Sequence, residues 1–252
     1  MPGGLRQGVK RPKPRPEDLI DKINALPRRA FFDRFFPSPS KLLQYRDYDI
    51  SLKPVADLGD DELMACFRLI ETTSAADYKN SPRGWHPKNK QREMREDHMR
   101  YLLVRKASRV DSAHADAPAR DAVPTKSKDE KLSNEIIAFL AFMFTIEDDY
   151  PVIYIYEIHL AEGHRGTGLG RHLMHIVDLC ATEGAVDKVM LTCFRSNAVA
   201  LAFYEKLGFG EDEFSPPAKR LRGGKIKLPP YLIMSKSVGK HEEFFAQVQP
   251  SA

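Results

Sequence analysis

The chain has 252 residues, 42% of them hydrophobic, so it can bury one substantial core, and no run of about 18 apolar residues predicts a membrane span. Its formal charge of +4 comes from residues 1–16, which hold five basic residues and no acidic one, whereas the remainder has 34 basic against 35 acidic residues. This near-neutral remainder gives little support for a nucleic-acid-binding body, and three widely spaced cysteines without an apolar secretory segment favour a soluble protein of a reducing intracellular compartment.

The first predicted elements are a tail and a short helix. Residues 1–16, MPGGLRQGVKRPKPRP, are rich in proline, glycine and basic residues, which predicts a disordered basic tail. The KRPKPR run is typical of a nuclear import signal and equally of a solvated tail. From Glu17 the segment EDLIDKINALPRRAFF places apolar residues at helical spacing, so we predict one short amphipathic helix that packs on the domain.

Strands and helices alternate in the next segment. We predict a strand over residues 48–55, a helix over LGDDELMACFRLIETTSAADY, a charged helix over residues 87–99 and a strand over residues 101–105. Residues 107–134 contain almost no large apolar side chain. We interpret them as a flexible insertion that the fold does not need.

The strongest strand signals are IIAFLAFMFTIE and VIYIYEIHL, and the short DDYP between them predicts a hairpin at the centre of the sheet. A helix then begins at Gly168, followed by KVMLTCF as a strand, NAVALAFYEKLGF as a helix and PPYLIMSKSV as a closing strand. This order predicts an α/β protein with a mixed sheet. We expect residues 17–240 to form one domain and residues 241–252 a C-terminal tail.

A glycine-rich segment, RGTGLG, separates the central strand from the helix that follows it. Because Gly168 and Gly170 lack Cβ atoms, backbone N–H groups at the helix start can approach an anion such as a pyrophosphate. The spacing alone fits a tight turn, which needs glycine for steric reasons, equally well. Neither the G-x-G-x-x-G pattern of dinucleotide sites nor the G-K-[ST] of nucleoside-triphosphate loops is present.

In their order along the chain, YEIHL, RGTGLG, KVMLTCF and NAVALAFYEKLGF resemble the acetyl-coenzyme A core of the GNAT family of N-acetyltransferases, over residues 136–237. The upstream ADYKNSPRGWHPKNKQREM extends the resemblance to the histone-specific N-terminal acetyltransferases of the NatD type. The resemblance implies a GNAT acyl-CoA N-acyltransferase fold with an extra N-terminal helix. It also implies acetyl-CoA as co-substrate and transfer to the α-amino group of histone tails beginning Ser-Gly-Arg-Gly. We predict a monomer located in nucleus and cytoplasm.

The resemblance further implies a cofactor site at the splayed end of the central strand. Pantetheine would pair with the backbone of Ile158, His159 and Leu160 like an added strand, and Asn197 would bind the cofactor from the other side of the splay. The pyrophosphate would rest on the loop residues Arg165, Gly166, Thr167, Gly168, Leu169, Gly170 and Arg171.

Glu157 is the first candidate for the catalytic base. A glutamate inside an apolar central strand needs a partner or a function, and an α-amino group with a pKa of about 8 needs only a modest base. The isoleucine pattern of IYIYEI does not fit strict alternation, which predicts a β-bulge near this carboxylate. The resemblance implies that Tyr154 and Tyr156 line the reaction site, although ordinary packing is the alternative for tyrosines on a strand.

Tyr204 stands where many GNAT enzymes place an acid that protonates the departing thiolate, and packing against the cofactor is an equally good interpretation. Four histidines lie close in sequence without ligand-type pairing, so we predict no metal site. They are His159, His164, His172 and His175.

The resemblance also implies a groove for the substrate. Tyr78 would cover the bound N-terminus, Tyr156 and Tyr231 would hold its backbone, and Thr192 would line the groove.

The segment Thr145, Ile146 and Glu147 would flank the substrate and offer Glu147 to its arginine. Thr145 departs from the family pattern, which has an aspartate there, and a hydroxyl does not replace the charge. Either Glu157 and water activate the amine, or Glu147, Asp148 and Asp149 supply a negative field that attracts a basic tail. The alternative interpretation of these acids is a solvated hairpin turn.

Two other functions stay open at the level of sequence. One is a GNAT enzyme that acetylates lysine side chains or a small amine, and the other is a non-catalytic binder of histone tails or coenzyme A. Covalent catalysis is disfavoured, because Cys193 beside Thr192 is more simply a small buried side chain.

Overall fold

The structure is a computed structural model that describes residues 15–82, 84–107 and 135–239. The predicted insertion, apart from Ala107, the predicted basic tail up to residue 14 and the C-terminal tail lie outside these described residues. Within them, no helix combines the length and the apolar character that crossing a bilayer requires.

Helices flank the sheet on both faces. They are α1 Pro16–Asn24, α2 Arg28–Phe35, α3 Pro39–Leu42, α4 Asp60–Lys79, α5 Pro87–Glu93, α6 Leu169–Glu183 and α7 Ala198–Glu205. The predicted short N-terminal helix is present as α1. A second helix, α2, follows Pro27, because proline lacks the N–H that would continue the first one. The predicted charged helix is shorter than expected and ends at Glu93.

An eight-stranded sheet has the order β1-β2-β3-β4-β5-β6-β10-β7, and β8 and β9 form a separate pair. The strands are β1 Gln44–Tyr45, β2 Tyr48–Pro54, β3 Arg100–Lys106, β4 Ala138–Glu147, β5 Tyr150–Leu160, β6 Lys188–Phe194, β7 Gly210–Glu211, β8 Lys219–Arg220, β9 Ile226–Lys227 and β10 Tyr231–Ser237. Among the strands of the described residues, only β5 and β6 pair in parallel. The mixed sheet and the central hairpin predicted from the sequence are confirmed.

Two clusters of buried side chains cover opposite faces of this sheet. The α6-side core packs α1, α2, α6 and α7 on one face and includes Phe142, Ile153 and Leu173. The α4-side core packs α4 on the other face and includes Phe67 and Phe139. Because successive side chains of a strand point to opposite faces, each strand contributes alternate residues to the two cores.

A β-bulge interrupts the central hairpin at Tyr156. Ala141 pairs with Glu157 and the next residue of β4, Phe142, pairs with Ile155, so Tyr156 has no partner in the register. The extra residue reverses the alternation of β5. Ile155 and Ile158 therefore both contact the α6-side core, while Glu157 turns to the opposite face. The predicted bulge is confirmed, and it is the feature that aims Glu157 at the candidate site.

The sheet opens between its two parallel strands. Residues 152–155 of β5 pair with residues 188–191 of β6, and beyond them the two strands no longer pair. The opening thus begins in the middle of β5 rather than after Leu160. It leaves the backbone of residues 156–160 without a strand on this side.

Candidate active site

Aromatic and hydroxyl side chains gather where the sheet opens, on the face of the α4-side core. The hydroxyl of Tyr154 lies 2.5 Å from Oγ1 of Thr192, which is exposed on β6. The rings of Tyr154 and Tyr156 lie 5.2 Å apart. Tyr231 pairs with Phe194 at the start of β10 and completes this row across three strands. We call the surface formed by Tyr78, Tyr154, Tyr156, Thr192 and Tyr231 the tyrosine groove.

Tyr78, in the last turn of α4, closes one side of the tyrosine groove. Its ring meets Phe194 edge-on at 5.0 Å and Trp85 at 5.4 Å. The Oγ of Ser196 donates to Asp77 at 2.8 Å, which holds the end of α4 against the loop after β6. Trp85 also stacks on Phe67, so it anchors the segment after Tyr78.

Glu157 is buried beneath this groove, with 8% of its side chain exposed, in contact with two nitrogen groups. Lys90 of α5 donates to Oε1 at 2.8 Å, and Nε2 of His159 lies 2.5 Å from Oε2. Burial by itself raises the pKa of Glu157, but the Lys90 ammonium and the His159 ring together lower it to about 2. Glu157 is therefore an anion at every physiological pH, and a weak proton acceptor while these contacts persist.

The contacts of Glu157 continue on both sides as a chain of polar groups that are buried or half-buried. The Lys90 ammonium also contacts Glu93 at 2.5 Å and lies 5.1 Å from the centre of the Tyr78 ring. On the other side, Nδ1 of His159 lies 2.5 Å from Oγ1 of Thr73 in α4. The chain fixes the Glu157 carboxylate relative to α4 and α5.

Sequence reasoning missed Lys90 and gave His159 only a backbone role. Lys90 stands in a helix of polar residues, 67 positions from Glu157, so no spacing pattern links the two. The one usable signal is general: a carboxylate on a buried strand requires a cation or several donors. That rule calls for a partner without identifying it.

The predicted cofactor residues of β5 lie on the strand edge that β6 leaves unpaired. Ile158, His159 and Leu160 offer backbone N–H and C=O groups to an added strand, as in β-strand addition. One of these groups is already engaged, because Nε of Arg165 donates to the Leu160 carbonyl at 3.2 Å. The second lone pair of this carbonyl can still accept a hydrogen bond from a ligand.

The glycine loop before α6 has the backbone that an anion site requires. Gly166 and Gly168 have φ values of 73° and 87°, in the left-handed region that favours glycine. A Cβ on Gly168 would lie 2.5 Å from the Tyr45 hydroxyl. The 15-residue helix α6 begins directly after it. The N–H groups of its first turn lack intrahelical acceptors, although Leu169 N lies 3.4 Å from Thr167 Oγ1. A Cβ on Gly170 would lie 3.9 Å from the Leu160 side chain, so the start of α6 is close to the end of β5 and fits a pyrophosphate.

Asn197 and Tyr204 stand on the other side of the opening. The Oδ1 of Asn197 accepts from Ala200 N at 3.0 Å and caps α7, which leaves its Nδ2 group for a cofactor. Tyr204 is buried in the α6-side core and packs against Phe203 and Phe209. Burial raises the pKa of its phenol, so Tyr204 is neutral, as either an acid or a packing role requires.

The end of β4 extends the groove past Tyr154. By strand alternation Thr145 and Glu147 share the face of Met143, which packs on the α4-side core, whereas Ile146 packs against the α6-side core. The structure thus does not bring the Ile146 side chain into the groove. Burial, and then the nearby Asp148, raise the pKa of Glu147.

His164, His172 and Cys193 make contacts that are typical of residues that stabilise a fold. His164 Nδ1 lies 3.1 Å from the Tyr48 hydroxyl and His172 Nε2 lies 2.8 Å from the Leu42 carbonyl. Cys193 is buried, and burial raises its pKa to about 12, so its thiol is not an activated nucleophile. Over the residues that the structure describes, no three His, Cys, Asp or Glu side chains form a group that could hold a metal ion.

Known proteins are similar to this chain in sequence and in fold. Over 117 residues the chain is 38% identical to N-alpha-acetyltransferase 40 of Saccharomyces cerevisiae, a match that covers 36% of this chain and 41% of that protein. The chain thus spans less than half the length of this relative.

Solved structures with a similar outline include the ribosomal-protein-S18-alanine N-acetyltransferase of Escherichia coli, with 16% identity, a TM-score of 0.45, and 77% of this chain and 97% of that one covered. Arabidopsis thaliana NAA60 with a bisubstrate analogue has 13% identity and a TM-score of 0.46, and the match covers 75% of this chain and 97% of that one. At such scores these likenesses carry no argument about function.

The family is decided by the sequence. Residues 76–209, more than half of the chain, match the Acetyltransferase (GNAT) family. The matched region runs from the end of α4 to the residue after Gly208, and so contains β5, the glycine loop, Asn197 and Tyr204. The chain belongs to the GNAT family of acetyltransferases, as its motifs predict.

Proposed function

We propose that this chain transfers the acetyl group of acetyl-CoA to the α-amino group of a peptide N-terminus, with histone tails beginning Ser-Gly-Arg-Gly as substrates. The observation that carries the proposal is the opening of the sheet after residue 155, with an unpaired strand edge on one side and the tyrosine groove beside it. Similarity to N-alpha-acetyltransferase 40 supports an α-amino acceptor.

The cofactor would be held by this chain at three places. The edge of Ile158 to Leu160 would bind its pantetheine arm, the loop from Arg165 to Arg171 its pyrophosphate, and Asn197 would contact it from α7. When bound, acetyl-CoA supplies an acetyl group activated as a thioester. The groove then needs only to present a neutral amine to that group.

Presentation of the amine is the proposed task of the tyrosine groove. Tyr78 closes the side near α4, Tyr156 and Tyr231 hold the peptide backbone, and the Tyr154 and Thr192 hydroxyls line the floor. An α-amino group has a pKa of about 8, so a useful fraction is already neutral near that pH. The groove therefore contributes chiefly position, which is a large part of the rate of such transfers.

Glu157 is the proposed general base that helps to remove the amine proton. With a pKa of about 2, held there by Lys90 and His159 against the effect of burial, it accepts a proton poorly. The base role thus requires that the contact with Lys90 weaken when substrate binds. Glu147 does not share this task, because it stands six residues beyond Ala141, the partner of Glu157, or about 20 Å along the strand.

The distance between Glu157 and Glu147 suggests that the two carboxylates contact different parts of the substrate. The amine would lie near Glu157, and the arginine at the third position of the peptide would extend towards Glu147. The adjacent Asp148 and Asp149 add negative charge at that end of the groove. This charge replaces in part the aspartate that the family has at Thr145.

Mass spectrometry of a peptide beginning Ser-Gly-Arg-Gly, incubated with acetyl-CoA and the protein, tests the proposal. We expect one acetyl group on the N-terminal amine and release of free coenzyme A. The same peptide with a blocked N-terminus should stay unmodified. Acetyl on an internal lysine of either peptide would instead indicate a side-chain acetyltransferase, and no coenzyme A release with any tail peptide would indicate a non-catalytic binder.

A further inference from the structure

A cavity of about 660 Å³ lies on the face of the sheet opposite Glu157, between α1, α2 and the end of β2. Most of its wall is apolar, with Leu26, Phe32, Leu52 and Val55 among the lining residues. This volume and character are those of sites that bind small molecules. The proposed acetyl transfer does not use this cavity.

Arg100, the first residue of β3, brings a charge into this apolar wall. It is 7% exposed, and its guanidinium carbon lies 4.3 Å from the ring centre of Phe31 and 5.6 Å from that of Phe144. Its Nη1 donates to Asn24 Oδ1 at 3.1 Å and to the His98 carbonyl at 3.0 Å. Both hydrogens of Nη1 are thereby used.

The other donors of this guanidinium have no acceptor among the described residues. Nε and Nη2 of Arg100 make no hydrogen bond there, and no described carboxylate pairs with the guanidinium. Neither nitrogen is among the fully buried side-chain atoms without a partner, so both are open to the cavity. Burial accordingly lowers the pKa of Arg100 to about 10. His98, which supplies one acceptor, has a φ of 68°, in the left-handed region that few non-glycine residues adopt.

Charges at the mouth of the cavity restrict what can bind. Arg28 pairs with Asp57 at 2.9 Å and Arg29 with Asp33 at 3.6 Å, so neither adds a strong positive field. Asp97, which has no ion-pair partner among the described residues, lines the cavity and opposes a second negative charge on a ligand. One buried positive charge, that of Arg100, remains without an ion-pair partner among the described residues.

We propose that this cavity is a binding site for a small monocarboxylate with an apolar body, of the class of medium-chain fatty acids. The carboxylate accepts hydrogen bonds from Nε and Nη2 of Arg100 in the two-point geometry that guanidinium groups favour. The apolar chain of the ligand lies against Leu26, Phe32 and Leu52. The site is independent of the proposed acetyl transfer, since it lies on the other face of the sheet.

Titration calorimetry with decanoate tests the proposal on the intact protein. We expect saturable binding of one decanoate per chain. Decan-1-ol, which has the same apolar body without the charge, should bind at least about tenfold more weakly, since hydrogen bonds to a charged group are worth about 1.5–3 kcal/mol. Arg100→Gln should weaken decanoate binding by a similar factor.

Two further variants separate binding from folding. Leu52→Trp fills the cavity while Arg100 stays in place, and should abolish binding even if Arg100→Gln fails to fold. Arg29→Gln, at the exposed mouth, should bind decanoate as the wild type does. No decanoate binding by the wild type, equal binding of decan-1-ol, or unchanged binding by Leu52→Trp would overturn the proposal, and Arg100 would then serve only to tie α1 to β3.

Discussion

Among single residues, Lys90 and Glu157 have the strongest mutual dependence in the candidate site. Both side chains are 8% exposed and their charged atoms lie 2.8 Å apart. A buried ion loses its hydration, and only its partner offsets this cost. Removing either residue alone therefore harms the protein more than removing both.

The first prediction is a double-mutant cycle in stability. Lys90→Met leaves the Glu157 carboxylate buried without its cation, so the free energy of unfolding at pH 7 should fall by about 3–5 kcal/mol. The double variant Lys90→Met with Glu157→Gln should recover part of this loss. Urea unfolding measures all three proteins. Strictly additive losses would show that the two residues do not stabilise each other.

A second prediction uses the same contact to test the base role of Glu157. The pKa of about 2 in the wild type means that Glu157 titrates far below the working range, so the substrate amine should dominate the pH dependence of kcat/KM. Lys90→Met removes a cause of the low pKa, whereas burial, which raises the pKa, persists. The variant should therefore lose activity as pH falls through the raised pKa.

The matched control for this profile is Lys88→Met, on the same helix but exposed. It should reproduce the wild-type profile of kcat/KM against a Ser-Gly-Arg-Gly peptide. If Lys90→Met also shows the wild-type profile, the charge state of Glu157 is not part of the reaction and its role is structural.

Among the structural elements, the loop before α6 has a backbone that can be tested glycine by glycine. Gly163 lies outside the left-handed region with open space around it, Gly166 has positive φ and open space, and Gly168 combines positive φ with the Tyr45 hydroxyl 2.5 Å from an added Cβ. The three positions therefore separate backbone strain from collision.

The third prediction is an order of effects for alanine at these glycines. Gly163→Ala should change little, Gly166→Ala should lower the free energy of unfolding by about 1–2 kcal/mol through strain alone, and Gly168→Ala should lower it further. Because the N–H groups of the loop are displaced, Gly168→Ala should also weaken coenzyme A binding by at least about tenfold in calorimetry. Equal affinity in Gly163→Ala and Gly168→Ala would place the pyrophosphate elsewhere.

The turn of the central hairpin carries the fourth prediction. Asp148 and Asp149 have φ values of 47° and 68°, as in a type I′ turn, which prefers Asn-Gly. Asp148→Asn with Asp149→Gly should therefore stabilise the fold by about 0.5–1 kcal/mol. If these acids also attract a basic tail, the KM for a Ser-Gly-Arg-Gly peptide should rise about two- to fivefold at low salt.

Two controls show whether a rise in KM comes from the charge of the two aspartates. The rise in KM should vanish at high ionic strength, and a peptide with alanine in place of arginine should show no rise at all. An unchanged KM for the arginine peptide at low salt would show that the two aspartates do not attract the substrate. They would then be part of a solvated hairpin turn, which is the alternative interpretation of the sequence.

At the scale of elements, sequence predicts what is local. The bulge at Tyr156 was predictable because the isoleucines of β5 violate alternation, and the α6 start because RGTGLG marks it. The break at Pro27 was predictable too, from proline alone. Tyr45 and Lys90 were not predictable, because each meets its partner across more than 60 residues of chain and nothing local in sequence encodes that contact.

At the scale of the whole molecule, the sheet separates two kinds of charged site. Glu157 and its cation lie under the α4 face and are paired, whereas Arg100 lies under the α1 and α2 face without a described carboxylate. The strands between them are filled by apolar side chains of the two cores. The two sites should therefore respond independently to substitution.

Paired carboxylates also determine how the whole molecule responds to acid. Burial raises the pKa of Glu62 and of Asp212, but contacts with Lys53 and Lys188, among others, lower both below their ordinary values. The pKa of Asp178 is instead raised, because the effect of burial outweighs that of the contact with Lys236. A carboxyl group with a lowered pKa in the folded state stabilises the fold above its unfolded pKa, and this contribution is lost as pH falls.

The last prediction follows from Glu157, whose pKa falls from 4.5 to about 2. Its contribution should be complete at pH 7 and 5 and should disappear between about pH 4.5 and pH 2, a loss on the order of 3 kcal/mol. Urea unfolding at pH 7, 5 and 3 measures it. The double variant Lys90→Met with Glu157→Gln lacks this group, so its free energy of unfolding should fall less steeply below pH 4.5. Equal slopes in both proteins would mean that other carboxylates control acid unfolding.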